Sequence, residues 1–300
     1  MISSYPNVIR HGHYLVEDIF DGVVVIQEKI DGSQISFGVD GDGNLTMRSK
    51  NAHIDTDAGG GMFGLAVNWC KENKDRLIRG LTYRGEFLSK PKHNALAYSR
   101  IPKNNIILFD IQQQPDESYF DWHSVSVEAE FLGLESVPTF YHGRLEAKDI
   151  QQTADECLAR ESILGGTTIE GIVIKNYSKL GEDRKPLMAK IVRPDFQEVN
   201  KKNWRLANPN VSDVLSHIVE TYKTDGRWQK AVQHLRDDNR LTGTMRDIPA
   251  LMTEVRNDTR KECEEEIKQL LFDHYWKKIG AGITSGLPEW YKTRIEETTK

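Results

Sequence analysis

The sequence predicts an α+β fold: a mostly antiparallel, strand-rich domain over residues 1–200, followed by a small all-α domain over residues 201–300. Short β-branched or alternating apolar runs, bounded by Gly, Asp and Asn, recur through the first two-thirds of the chain. Apolar residues at helical spacing dominate the last third, beginning at Val211, Val214, Leu215, Ile218 and Val219. A length of 300 residues suits two domains that each bury a core.

Composition is that of an ordinary globular protein, 38% hydrophobic and 28% charged. No apolar run is long enough for a membrane span, and no secretory signal is present, so we expect a soluble cytoplasmic protein with no membrane partner. The three cysteines lack Cys-x-x-Cys spacing, which argues against a zinc ribbon, a redox motif or a disulfide framework. With a net charge of −5, nucleic acid must bind through local basic patches such as Lys201, Lys202 and Arg205.

The stretch Val23–Phe37 places a lysine directly after a β-branched run. We expect a strand that ends at Lys29, a tight turn at Asp31-Gly32 and a returning strand, which together form a hairpin. A buried ammonium is costly, and partial burial or a neighbouring cation lowers a lysine pKa and yields a neutral, nucleophilic amine. The alternative is a hairpin whose lysine reaches water along its flexible stem.

The remaining predicted elements follow in chain order. They are a turn at Asp40–Asn44, a strand at Leu45–Lys50, a helix over Phe63–Cys70, strands at Leu81–Leu88 and Asn105–Ile111, a short helix at Glu128–Leu134, a helical segment at Ala147–Glu161, and strands at Ile169–Lys175 and Leu187–Val192. Three helices are predicted beyond them, over Val211–Tyr222, Trp228–Leu235 and Ile248–Ile279.

Several of the predicted strands carry charged side chains in segments that otherwise favour burial. The set is Lys29, Arg48, Glu86, Glu170, Lys175 and Lys190, with Phe109 in an apolar strand. Such a set suits a nucleotide, because a ring can stack on the base, a carboxylate can hold ribose hydroxyls and cations can surround phosphates. The second carboxylate can place a divalent metal ion on the phosphate oxygens.

Five motifs occur in an order that resembles the covalent nucleotidyltransferase superfamily of ATP-dependent polynucleotide ligases and capping enzymes. The motifs are Lys29–Gly32, Arg84–Phe87, Ile107–Ile111, Glu170–Lys175 and Met188–Lys190. Glu28, the Arg48-Ser49 pair and Arg193–Glu198 are most similar to the nick-sealing branch of RNA ligases. The resemblance implies a nucleotidyltransferase (adenylation) domain of the ATP-grasp-like ligase type, with an RNA-binding role for residues 201–300.

The resemblance also implies a reaction that uses ATP with Mg²⁺ or Mn²⁺. Lys29 would carry AMP covalently, pass it to a 5′-phosphate of RNA, and a 3′-hydroxyl would then displace it. The implied roles are adenine stacking for Phe109, ribose contact for Glu86, proximity to adenine for Glu28, sugar or phosphate contact for Arg48, phosphate contact for Lys175 and Lys190, and metal binding for Glu170. Ile30 and Gln34 flank the nucleophile as further nucleotide-binding positions. Cations at the phosphates would depress the pKa of Lys29.

Two residues depart from the family pattern. Met188 stands where the fifth motif usually has the first of two lysines, so Lys175 or Lys185 must compensate or one step is slower. Gln34 stands where nick-sealing RNA ligases tend to have Asn and DNA ligases Arg, and its amide mildly favours the RNA branch.

We therefore expect a monomeric enzyme that acts on nicked duplexes or broken RNA ends. A DNA ligase or a capping-type guanylyltransferase is an alternative, although the helical last third lacks the β-rich barrel that normally follows the fifth motif in both. A catalytically silent nucleotide- or RNA-binding module is the alternative from another class, and only Met188 favours it.

Overall fold

The strands of the first two-thirds of the chain form two sheets in the computed structural model, which describes residues 2–114, 118–193 and 214–298. In chain order the strands are β1 (Ile9–Arg10), β2 (Val23–Lys29), β3 (Ser33–Val39), β4 (Leu45–Ser49), β5 (Leu81–Phe87), β6 (Ile106–Gln113), β7 (Glu135–Ser136), β8 (Thr139–Arg144), β9 (Gly171–Leu180) and β10 (Pro186–Val192). Within the described residues, one five-stranded sheet has the order β1-β10-β9-β2-β8, and the other has the order β4-β3-β5-β6-β7. Apart from the β1–β10 and β6–β7 pairs, neighbouring strands are antiparallel, as predicted.

Helices flank the sheets and make up most of the C-terminal third. They are α1 (Gly64–Glu72), α2 (Trp122–Leu132), α3 (Ile150–Leu158), α4 (Val214–Tyr222), α5 (Asp225–Asp237), α6 (Ile248–Ile283) and α7 (Leu287–Thr298). Short 3₁₀ helices cover Tyr14–Phe20, Gly61–Phe63, Lys74–Arg76, Lys103–Asn105 and Met245–Asp247.

Helix α2 shows why local chemistry sets the boundaries of an element. It begins earlier than the predicted residue 128, because the Asp121 side chain accepts hydrogen bonds from the backbone N–H groups of His123 and Ser124. It ends at Leu132, two residues before the predicted end, because Gly133 has a φ of 72° and closes the last turn.

Each sheet has its own apolar core. In the β3-containing sheet, Ile35, Phe37 and Tyr83 pack with side chains of α1 and α2. In the β2-containing sheet, Val24 and Ile26 pack with side chains of α3 and of the first 3₁₀ helix. Because each sheet is stabilised by its own core, strand ends from the two sheets can lie close together while both sheets keep their apolar packing.

The predicted hairpin after Lys29 is wrong. Strand β2 pairs with β8 and β9, whereas β3 pairs with β4 and β5, so the chain leaves one sheet and enters the other between Lys29 and Ser33. Gly32 does not have the positive φ that a two-residue hairpin turn requires. A glycine is instead required here by close packing. A Cβ at Gly32 would lie 2.6 Å from Cγ of Glu86 and 2.8 Å from the carbonyl oxygen of Phe87.

The chain divides into two compact units. The first comprises residues 1–197 and 228–254, and the second comprises residues 198–227 and 255–300. Residues 228–254 therefore group with the strand-rich unit, although the sequence places them in the C-terminal region. In the second unit, Tyr222 and Cys263 are buried together, and the guanidinium of Arg227 lies 3.1 Å from a carboxylate oxygen of Asp258.

Several segments with predicted roles lie outside the described ranges. These are the basic patch at Lys201, Lys202 and Arg205, most of the Arg193–Glu198 segment, and the predicted helix start at Val211. Among the helices that the structure describes, none is both long and apolar enough to span a membrane. The three cysteines are buried and free of disulfide bonds, as predicted.

The packing of Gly32 makes a direct prediction. Gly32→Ala should lower the free energy of unfolding by about 1–3 kcal/mol, because backbone and side-chain atoms of β5 must shift to admit the methyl group. The matched control is Gly41→Ala, where a Cβ meets nothing within 4 Å and no loss is expected. Urea unfolding of both variants measures the difference, and equal midpoints would contradict the packing account.

Candidate active site

Lys29 lies at the end of β2, next to the start of β9. In the β2–β9 ladder, Lys29 is opposite Gly171, so Glu170 immediately precedes the paired residue. The Lys29 Nζ atom lies 2.6 Å from Oε2 of Glu170, and the lysine side chain is 28% exposed. The structure therefore brings the predicted nucleophile and the predicted metal-binding carboxylate into direct contact.

Carboxylates exert the main charge effects on the amine of Lys29. Burial acts to lower the pKa of Lys29, but the charges of Glu170, Glu86 and Asp31 outweigh it and hold the pKa above its usual value. The expectation that neighbouring cations depress the pKa of Lys29 is wrong as far as the side chains of the protein itself are concerned, because their net effect is to raise it. The reason is topological, since Glu170 immediately precedes the first residue of β9, which pairs with Lys29 at the end of β2.

Glu86 lies on β5 and faces the same region from the second sheet. Its cross-strand partner on β3 is Gln34, so two predicted nucleotide-binding residues are neighbours. Burial raises the pKa of Glu86 to about 8, and Lys29 only partly offsets this effect. Glu86 therefore takes up a proton more readily than an ordinary glutamate, and its protonated carboxyl group can donate as well as accept a hydrogen bond.

A buried ion pair joins the two sheets beside Phe109. Lys175 of β9 donates to a carboxylate oxygen of Asp110 on β6 at 2.9 Å and to the carbonyl oxygen of Phe109 at 2.8 Å. The hydroxyl groups of Tyr5 and Tyr177 also donate to the Asp110 carboxylate. Lys175 is 2% exposed, and its ammonium lies 5.2 Å from the centre of the Phe109 ring. Burial lowers the pKa of Lys175 despite the nearby Asp110.

Three other predicted residues, Glu28, Arg48 and Ile30, have partners of their own. Glu28 is buried and accepts hydrogen bonds from the Ser162 hydroxyl at 2.5 Å and the Ile163 N–H at 3.0 Å. The Arg48 guanidinium donates to backbone carbonyls, including that of Ile2 at 3.2 Å. Ile30 packs in an apolar cluster that Phe109 also contacts. The nucleotide contacts expected of these residues stay predictions.

The fifth motif lies on β10, where Met188 is directly opposite Lys175 of β9. Met188 is 1% exposed, whereas Lys190, two residues further along the same face, is partly exposed. Lys185 donates to the backbone and hydroxyl oxygens of Ser4, at 2.9 Å and 3.0 Å. Of the two lysines proposed to compensate for Met188, Lys175 is therefore the one beside it.

The sequence patterns did not single out four residues that hydrogen-bond the predicted site residues or their partners, namely Asp110, Ser162, Tyr5 and Tyr177. Asp110 carries the same signal that singled out Glu170, a carboxylate inside an apolar strand. Ser162, Tyr5 and Tyr177 carry no such signal, because each is polar in a segment that tolerates polar residues. Their importance appears only when the two sheets are in place.

The carboxylates at Lys29 fit a divalent metal ion that is completed by substrate oxygens. Within the described ranges, no group of three or more His, Cys, Asp or Glu side chains could hold a metal by itself. Mg²⁺ is usually bound by one or two carboxylates together with phosphate oxygens, and Glu170 supplies a carboxylate where a phosphate would approach Lys29.

A lysine paired with a glutamate, with a second carboxyl group close by and an aromatic ring packed against the cluster of the following residue, is suited to binding a nucleotide and transferring its nucleotidyl group. The family model described as RNA ligase matches residues 22–192, which contain all the predicted site residues. The chain belongs to the RNA ligase family. No curated protein matches it in sequence.

Among solved structures, the chain is similar to the Naegleria gruberi RNA ligase with PPi, at 18% identity and a TM-score of 0.49. A mutant of that enzyme with ATP and Mn matches at 17% identity and a TM-score of 0.48, and another with AMP and Mn at 19% and 0.47. In each case the match covers 64% of this chain and 56% of the Naegleria chain.

The buried Lys175–Asp110 pair should contribute much more to stability than the exposed Lys179–Asp21 pair. Asp110→Asn should destabilise the protein by about 3–5 kcal/mol, because it leaves the Lys175 ammonium buried without its counter-charge. Asp21→Asn removes the exposed partner of Lys179 and should change stability little. Thermal and urea unfolding of both variants test this, and a similar loss in each would refute it.

Glu86 predicts a dependence of stability on pH. Because its pKa is raised to about 8 on folding, Glu86 stabilises the folded state below its usual pKa, and this contribution is lost as the pH rises through about 8. Glu86→Gln should therefore gain stability relative to wild type as the pH rises from about 5 to about 8. Unfolding free energies at several pH values measure the slope, with the exposed Glu72→Gln as control. Parallel wild-type and Glu86→Gln curves would contradict the raised pKa.

Proposed function

We propose that the protein is an ATP-dependent RNA ligase that joins 3′-hydroxyl and 5′-phosphate ends, at nicks, through lysyl-AMP and RNA-adenylate intermediates. The observation that carries this proposal is the Lys29–Glu170 pair, which lies at the position of the nucleophile motif and inside the RNA ligase match. Family membership supports the class of reaction, and the geometry supports Lys29 as the nucleophile.

In the first step, the Lys29 amine attacks the α-phosphorus of ATP. A nitrogen–phosphorus bond forms, the bond from that phosphorus to the bridging oxygen breaks, and pyrophosphate leaves. The reaction depends on alignment and on neutralised charge more than on acid–base chemistry. The position of Lys29 at the end of a paired strand supports the alignment.

Lys29 must lose a proton before it can attack. Its pKa is held high by carboxylates, and the nearest acceptor is Oε2 of Glu170, 2.6 Å from Nζ. We propose that Glu170 takes this proton as the phosphate approaches. Glu170 would also be the residue that holds a divalent metal ion, whose chemistry there is to neutralise charge on the phosphate oxygens.

The nucleotide would lie between the two sheets. The Phe109 ring is partly exposed and shares an apolar cluster with Ile30, which supports a place for adenine. Glu86 would bind the ribose hydroxyls, and Gln34 is its cross-strand neighbour. Lys190 would reach the phosphates, since it is partly exposed and its charge acts on Glu170.

Two further steps would complete the ligation. An oxygen of the RNA 5′-phosphate attacks the phosphorus of lysyl-AMP and releases Lys29, and a 3′-hydroxyl then attacks the 5′-phosphorus and expels AMP. The helical character of residues 214–298 supports an RNA ligase over the DNA ligase and capping alternatives. We propose that residues 201–300 contact the RNA backbone, so sealing should weaken as salt concentration rises.

The proposal predicts a covalent adenylate on Lys29. Incubation with ATP labelled at the α-phosphate and with Mg²⁺ or Mn²⁺ should leave label on the protein through a denaturing gel. Lys29→Ala should abolish the label because no amine remains at that position, whereas Lys179→Ala, which removes a lysine in an exposed ion pair, should retain it.

Absence of label on the wild-type protein with both metals would refute the enzyme proposal. If label appears, sealing of a nicked duplex with RNA or DNA on the 3′-hydroxyl side identifies the substrate. We expect sealing with RNA at that position, and efficient sealing only of DNA would favour the DNA ligase alternative.

A further inference from the structure

Helix α5 contacts the loop that follows Lys29. The side chain of Gln233 donates a hydrogen bond to the carbonyl oxygen of Gly32, and Asn94 donates to the same oxygen at 2.7 Å. One turn further along the helix, Asp237 accepts a hydrogen bond from the Ser33 hydroxyl at 2.6 Å. All of these residues belong to the first compact unit. A segment of the C-terminal third therefore holds the two residues that follow Asp31.

The hydrogen bonds at Ser33 have one consistent direction. The backbone N–H of Ser89 donates to Nδ1 of His93 at 3.2 Å, so the proton of the neutral ring lies on Nε2. That Nε2 then donates to the Ser33 oxygen at 2.9 Å, and the Ser33 hydroxyl donates to Asp237. Burial, with Arg236 nearby, lowers the pKa of His93 to about 4, which keeps the ring neutral at physiological pH.

The carboxylate at the end of this chain of hydrogen bonds costs stability. Asp237 is 6% exposed, and burial raises its pKa to about 7. The titratable or charged groups that face it are Arg236 on its own helix, Asp238 directly after that helix, Lys50 after β4, His93 in the loop after β5, and Glu86 on β5. Burial disfavours the charged carboxylate, and the hydrogen bond from Ser33 offsets this cost only in part.

The loop that follows Lys29 is held from a second direction. One carboxylate oxygen of Asp31 accepts hydrogen bonds from the backbone N–H groups of Ala95 at 2.7 Å and Leu96 at 2.6 Å. The N–H of Asp31 donates to the Tyr98 hydroxyl at 2.8 Å. These contacts fix Asp31, and the helix contacts fix Gly32 and Ser33. Together they define the course of the chain directly after the nucleophile.

We propose that Asp237, acting through Ser33, and Gln233, acting through Gly32, are positioning residues that align Lys29 for attack on the nucleotide. This inference rests on the proposed function, because it concerns the first step of that reaction. It also gives helix α5 a role in adenylation, in addition to any contact of the C-terminal region with RNA. A displacement of the nucleophile by about 1 Å can slow such a step by about 100-fold.

The test separates positioning from folding in the full-length chain. Single-turnover formation of lysyl-AMP at saturating ATP gives an amplitude, which counts folded protein, and a rate constant, which reports alignment. Asp237→Ala should lower the rate constant by about 10- to 100-fold with little change in the KM for ATP. Asp237→Asn keeps an oxygen that can accept the Ser33 hydroxyl, so its rate constant should stay within about threefold of wild type.

Asp238→Asn is the matched control, because it removes the same charge from the neighbouring residue and should leave the rate constant unchanged. If Asp237→Ala does not fold, Gln233→Ala decides, with a smaller loss of the same kind expected. Wild-type rate constants in Asp237→Ala or, failing that, Gln233→Ala would overturn the inference while leaving the proposed function intact. A wild-type protein that forms no lysyl-AMP would overturn both.

Discussion

The ion pair between Lys175 and Asp110 is the interaction on which the site depends. It joins β9 of one sheet to β6 of the other, and both partners are almost fully buried. Because β9 follows directly on Glu170 and β6 carries Phe109, this pair sets the distance between the carboxylate at Lys29 and the aromatic ring. A buried charge without a counter-charge is strongly destabilising. The arrangement of the two sheets that pairs Lys175 with Asp110 is therefore favoured over arrangements that separate them.

The Lys175–Asp110 pair also explains why methionine stands at position 188, where the fifth motif of the family usually has a lysine. Met188 is directly opposite Lys175, and side chains of opposed residues lie on the same face of a sheet. A lysine at position 188 would place a second ammonium beside a buried one that already has its counter-charge in Asp110. Lys175 of β9 is therefore the cation that lies beside position 188, and Lys190 is the partly exposed cation on β10.

Periodicity and strand composition predicted most elements, because these patterns depend on local burial. The motif residues also predicted that Lys29 and Glu170 share a site, although not that they form an ion pair. Two features could not be predicted from local patterns. The Lys29–Gly32 segment has the composition of a hairpin turn but crosses between sheets, since β2 finds partners in β8 and β9, more than a hundred residues away. Likewise, residues 228–254 have a helical pattern that indicates nothing about the loop they pack against.

Lys29 is proposed as the nucleophile of a nucleotidyl transfer, and this role can be tested by locating the adenylate on the protein. The full-length protein, incubated with ATP and Mg²⁺ and digested under conditions that preserve the nitrogen–phosphorus bond, should yield one AMP-modified peptide by mass spectrometry. Fragmentation of that peptide should place the modification on Lys29. A modification on Lys175, Lys190 or any other residue, with Lys29 unmodified, would contradict it.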